Sequence, residues 1–262
     1  MPRPAAGRPG SATRAPQRAA RRPRLILLAL LASLSGCGAS KPSQPTDDGA
    51  ANDPLTQCHE QGGGDAPQQI TDVVERINAL PEPKSLACFL ASLPRPLRVL
   101  GTTSTFSVQP ATGRESPRVF IFTQGLVMAV LPSGVGSELL ELGEWTQDYR
   151  TLKGEVAFPV SSALEPDAPF ARLREDTGPS KCGFCHANEL FHPTIEGAVE
   201  SVALQVQPGT EVGRDALHAL HMDCEARSDK SAACAFWRAI FGFGAVEQGA
   251  FPDETALFFE EG

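Results

Sequence analysis

The chain has 262 residues, 41% of them hydrophobic, and carries 23 basic against 31 acidic side chains for a formal charge of −8. That length suits one domain or two small ones once terminal segments are set aside. The acidic balance excludes a nucleic-acid binder that works through a basic surface.

The charge is unevenly spread. Arg3, Arg8, Arg14, Arg18, Arg21, Arg22 and Arg24 fall in the first 24 residues, which hold no acid. Leu25 to Ala32 is then an apolar run of signal-peptide length, too short to cross a bilayer. Leu34-Ser35-Gly36-Cys37 follows and resembles the bacterial lipobox. The resemblance implies lipidation of Cys37, cleavage just before it and export. Residues 1–36 are therefore expected to be a lipoprotein signal peptide, and the remainder to be anchored to a bacterial membrane through its lipid, facing the periplasm. Losing the seven arginines takes 23 basic residues to 16 against 31 acidic ones, near −15. Residues 37–56, rich in Gly, Ser, Pro, Asp and Asn, read as a flexible tether.

A helical hairpin is expected next. Ile70, Val73, Val74, Ile77 and Leu80 recur at helical spacing until Pro81 and Pro83, and Leu86, Phe89, Leu90 and Leu93 repeat it until Pro94. From about residue 97 to 160 the pattern becomes short apolar runs bounded by turn residues, which predicts strands at 98–100, 105–108, 118–122, 126–131, 138–142 and 154–158. Thr123-Gln124-Gly125 predicts a tight hairpin turn. Residues 161–181 read as a loop and 201–206 as one more strand. Two helices close the chain, one from Arg214 with Leu217, Leu220, His221 and Cys224 on one face, and one over 232–241 ending at Gly242. The fold class is thus α+β, with a hairpin and antiparallel sheet over 57–160 and a largely helical region over 161–262.

Seven cysteines in an exported chain call for pairing. With Cys37 assigned to lipid, Cys58 with Cys88 and Cys224 with Cys234 close loops of about 31 and 11 residues, stabilising by roughly 3.7 and 2.8 kcal/mol on chain entropy. Other pairings stay open, but this one leaves Cys182 and Cys185 unpaired.

Those two cysteines stand in Cys182-Gly183-Phe184-Cys185-His186. Two thiols three apart, with an imidazole directly after the second, suit covalent attachment to the two vinyl groups of a haem and ligation of its iron from one side. Over these five residues the chain resembles c-type cytochromes. The resemblance implies one haem c, with Cys182 and Cys185 as attachment points and His186 as proximal ligand. The surrounding pattern departs from soluble cytochromes, because the motif follows a loop and a β-rich region where that family places a helix. The order of sheet, motif and helices is similar to uncharacterised bacterial lipoproteins with a lone CxxCH, whose activity is unknown. For the distal position Met222, His221 and His218 are the candidates, with His192 a further competitor and Met128 assigned to a strand.

Two rival chemistries use the same run. CGFCH is similar to the active-site run of periplasmic disulfide isomerases with a thioredoxin fold, which implies Cys182 as nucleophile and Cys185 as resolving thiol. Against it, residues 171–176 are too charged for the buried strand that should precede such a motif. Zinc would need a second ligand pair, and Cys224 and Cys234 are spaced too far apart. A structural lipoprotein with disulfides is the plainest alternative. Glu138 and Glu141 read as solvated surface. No hydrolase or nucleotide-binding motif is present. The expected role is electron transfer or redox sensing by one covalent haem, with a redox protein as partner, no nucleic acid, and no enzymatic activity required.

Overall fold

A computed structural model describes residues 53–147, 149–175, 180–186 and 188–257. The expected signal peptide and Cys37 lie outside the described residues. In chain order the elements are α1 (Pro54–Gln61), α2 (Ile70–Ala79), α3 (Leu86–Ser92), β1 (Leu97–Thr102), β2 (Arg118–Phe122), β3 (Leu126–Val130), β4 (Leu139–Trp145) and β5 (Arg150–Ala157). There follow α4 (Ala168–Ala171), a 3-10 turn at Lys181–Phe184, β6 (Leu190–Phe191), β7 (Val199–Val202), β8 (Leu204–Gln205), β9 (Glu211–Val212), α5 (Arg214–Arg227), α6 (Ala232–Phe241), β10 (Val246–Gln248) and β11 (Ala256–Leu257).

The fold is α+β, as the sequence pattern indicates. Nine strands form one sheet in the order β10-β1-β2-β3-β4-β5-β7-β6, with β9 also on β1, and only the β1/β10 pairing is parallel. β8 and β11 pair separately. β7, β6, β9 and β10 all come from beyond residue 160, so the two halves of the chain share this sheet.

Alternation along the strands sends side chains to two unlike faces. Val119, Ile121, Leu126, Met128, Val130, Leu140, Leu142, Leu152 and Val156 face the helices and are buried with Ile70, Val73, Ile77, Phe89, Leu90, Leu217, Trp237 and Ile240. Disulfides Cys58–Cys88 and Cys224–Cys234 both form, joining α1 to α3 and α5 to α6. Serine caps lie beside both: Ser85 Oγ accepts from Cys88 N at 3.1 Å, and Ser231 Oγ from Cys234 N at 3.3 Å. The α2/β3-β4 layer also explains Gly125 in the expected hairpin turn, since a Cβ there would run into the Gln68 carbonyl.

Three expectations need correction. α1 begins at Pro54, inside the segment read as tether, with Asp53 capping it through Thr56 N at 3.2 Å. Residues 105–108 are not a strand. Hydroxyls capture the local backbone instead, Ser104 Oγ accepting from Phe106 N at 3.2 Å and Ser107 Oγ from Gln109 N at 3.0 Å. The expected strand at 201–206 is divided between β7 and β8.

Candidate functional site

On the sheet face turned away from the helices, an open cleft with a cavity volume of about 160 Å³ lies between the strands and the Cys-x-x-Cys-His loop. Phe106, Phe120, Val127, Ala129, Val206 and Phe251 supply apolar wall. Phe251 packs edge-on against Phe120 and Phe122 with ring centroids 5.1 and 5.0 Å away. Cys182, Cys185 and His186 line the same cleft.

The loop is shaped by short-range bonds. Ser180 Oγ accepts from Cys182 N at 3.1 Å and donates to Glu189, whose other carboxylate oxygen accepts from Ser180 N at 2.8 Å. Cys182 O then accepts from Cys185 N at 3.1 Å and from His186 N at 2.9 Å, folding the motif over one 3-10 turn. Cys182 and Cys185 are half-buried free thiols.

His186 is held from behind. Its Nδ1 lies 2.7 Å from the carbonyl oxygen of Val202 at the end of β7. A carbonyl can only accept, so Nδ1 carries the proton and donates, and Nε2 keeps its lone pair. This is the arrangement in which a second partner orients a metal-binding imidazole. Burial first, then the nearby Lys153 charge, pushes the His186 imidazole down to about 3, so it is neutral at ordinary pH.

The cleft floor carries several charges, among them one carboxylate expected in solvent. Glu141 on β4 pairs with Arg118 on β2 and lies opposite Glu155 on β5, while Lys153 faces Gly143. Glu141 is therefore not solvated surface. Burial pushes its carboxyl up against the pull of Arg118, and Glu155 adds to the rise. Glu155 is bonded by Arg172, whose Nε donates to Oε1 at 3.0 Å, and Lys181 stands 4.0 Å off the same oxygen. Lys153 is only 8% exposed, and burial pushes its ammonium down to about 8.

Sequence reasoning missed Arg118, Lys153 and Glu155 and misread Glu141. Part of the signal was available: Thr151, Lys153 and Glu155 occupy every second position of T-L-K-G-E and so share one face, on which the antiparallel register also sets Glu141 opposite Glu155.

The three distal candidates do not line the cleft. Met222, His218 and His221 sit on α5, whose Leu217 joins the core on the opposite, helical face. His221 stacks on Phe241 with ring centroids 5.9 Å apart, His218 is 5.2 Å from the same ring, and Met222 is 52% exposed. His192 caps the backbone instead, its Nδ1 accepting from Ile195 N at 3.1 Å. Met128 is in β3, fully buried. The motif thus gathers Cys182, Cys185 and His186 alone among the residues singled out for iron and thiol chemistry.

The donor set fits a covalently held haem: two free thiols, one neutral imidazole with its backing hydrogen bond, apolar walls and a cationic floor. It fits a disulfide isomerase poorly. Burial pushes the Cys182 thiol up to about 11 and raises Cys185 as well, the opposite of an activated nucleophile. The element before the loop is the short helix α4, not a buried strand, and the motif opens no α-helix. Among the described residues no group of three or more His, Cys, Asp and Glu side chains could hold a metal ion. No family model matches the chain, and neither does any curated protein or solved structure.

Proposed function

We propose that this is an exported lipoprotein, anchored through Cys37, that carries one haem c bound covalently by Cys182 and Cys185 with His186 on the iron, and that it transfers electrons or senses redox state. The hydrogen bond from His186 Nδ1 to Val202 O carries this reading, since it presents a neutral Nε2 at the wall that holds both free thiols. A structural disulfide motif would need no such orientation of its neighbouring histidine. When bound, haem supplies one-electron chemistry whose potential responds to burial and to charges around it. This chain's own residues then fix the loop through Ser180 and Glu189, orient the imidazole through Val202, and exclude water through Phe120 and Phe251.

The test is a pyridine haemochrome spectrum of the full chain, exported in a host with c-type maturation machinery, beside a Cys182→Ala, Cys185→Ala control. Acid-acetone-resistant haem near one per chain, absent from the control, is expected. A colourless protein that is otherwise normally processed would overturn the reading and leave a structural lipoprotein with disulfides.

A further inference from the structure

The cleft floor has an imbalance of charge that its internal pairs do not remove. Four cations line or border it, Arg118, Lys153, Arg172 and Lys181, against Glu141, Glu155 and the nearby Glu189. Arg118 is taken by Glu141, Arg172 by Glu155, and Lys181 stands at the edge of the second pair. Glu189 is bonded to Ser180. Lys153 is left: it is more than nine-tenths buried, lines the cleft, and has no hydrogen-bond or ion-pair partner among the described residues. Buried polar atoms around it are also unmatched, namely Arg118 Nε, Glu141 Oε1 and Thr151 Oγ1. A mostly buried lysine with no counter-charge at bonding distance is costly to a fold, and natural proteins seldom keep one without a ligand or partner for it.

What would supply the counter-charge must also suit the walls. Phe120, Val127, Ala129, Val206 and Phe251 want an apolar body, whereas Lys153 wants an anion. We infer that the cleft takes an apolar ligand bearing a carboxylate and seats that carboxylate on Lys153. For a covalently held haem, a clause that rests on the function proposed above, the carboxylate is one of the two propionates of the macrocycle. Lys153 is then a ligand-positioning residue in the middle of β5, near Glu141 and Glu189 but hydrogen-bonded and ion-paired to neither.

The test uses the full chain with Cys182→Ala and Cys185→Ala, so that binding is reversible, titrated with iron mesoporphyrin and with its dimethyl ester and followed by Soret absorbance. The diacid is expected to bind about tenfold more tightly than the diester, equivalent to about 1.4 kcal/mol. Lys153→Gln should bring the ratio near one, and Lys153→Arg should retain part of it. Equal affinities in the chain that keeps Lys153, a ratio that survives Lys153→Gln, or no Soret change with either probe would each overturn the inference. If Lys153→Gln does not fold, the diacid and diester comparison with Lys153 in place still decides. The haemochrome experiment reads a separate property. A colourless exported chain whose cysteine-free form still prefers the diacid defeats covalent haem and keeps the carboxylate site, whereas a haem-bearing chain without the preference defeats the site alone.

Discussion

The two faces of the sheet solve opposite problems. Toward the helices, the alternate residues of β2 to β5 are Val, Ile, Leu and Met, buried against α2, α3, α5 and α6 and fastened by two disulfides. Toward the cleft, the intervening residues set Arg118, Glu141, Thr151, Lys153 and Glu155 among the apolar Phe120, Val127 and Ala129, with several of those polar atoms unmatched, and the two cysteines above them are free. Apolar burial of the first kind stabilises by about 25 cal/mol per Å². Charge burial of the second kind is at best neutral against apolar residues of similar volume. A sheet that gives up stability on one face and recovers it on the other is built around a site, and local rules break where function sits.

The sharpest way to break this contrast is through the helical face. Phe89 is fully buried beside Phe158, with ring centroids 6.2 Å apart. Phe89→Ala should cost about 3–5 kcal/mol in urea unfolding. Removing Cys58–Cys88 by a double alanine substitution should cost roughly 3.7 kcal/mol and removing Cys224–Cys234 roughly 2.8 kcal/mol. Cys182→Ala with Cys185→Ala should leave the urea midpoint of the haem-free chain nearly unmoved. A large loss there would mean that the free thiols belong to the core, and the two faces would no longer be distinct.

The cleft face should respond with the opposite sign. Lys153→Met removes a buried charge that has no bonded counter-charge among the described residues and is expected to raise stability by about 1–3 kcal/mol at neutral pH in the haem-free, cysteine-free chain. The pH dependence follows from linkage. The ammonium falls from 10.5 to about 8 on folding, so below about pH 8 it is charged in both states and its full cost stands. Between about pH 8 and 10.5 the unfolded chain binds more protons, and stability should rise with pH there. The Cys182 thiol, raised from 9.0 to about 11, works against this over its own window, which is why the measurement belongs in the cysteine-free background. A Lys153→Met chain that keeps the same rise would show that another group produces it.

The same contrast decides what could be read from the sequence. The helical face was legible: α2, α3, α5 and α6 start and stop where hydrophobic spacing, Pro81, Pro94 and Gly242 place them, and both disulfides join the expected cysteines. The short strands β6, β9, β10 and β11 were not, because two or three residues carry no period of their own and pair only when the sheet edge is already formed. In the site, Cys182, Cys185 and His186 were visible through fixed spacing along the chain. Arg118, Glu141, Lys153 and Glu155 were not, because a polar residue at every second position of a strand has the same pattern whether that face meets water or a covered cleft. What separates the two cases is the covering of that face by the Cys182–His186 loop, residues 203–207, Phe251 and the 104–108 segment, most of it distant in sequence from the strands it covers.

The smallest expected effects test the part of the reading that the layers reverse. Met222 and His218 looked suitable as iron ligands because they follow His186 at a plausible distance in the chain, yet α5 packs on the helical face while His186 opens to the other. Met222 is half exposed, so Met222→Ala should change stability by no more than about 0.5 kcal/mol, and His218→Ala should be similarly mild. His221→Ala should cost about 1 kcal/mol through its lost stacking on Phe241. In the haem-bearing chain none of the three should alter the Soret band of either oxidation state, because none lines the cleft. A displaced Soret band in one of them would mean that α5 reaches the iron, and the separation of a stabilising face from a working face would fail at its most direct point.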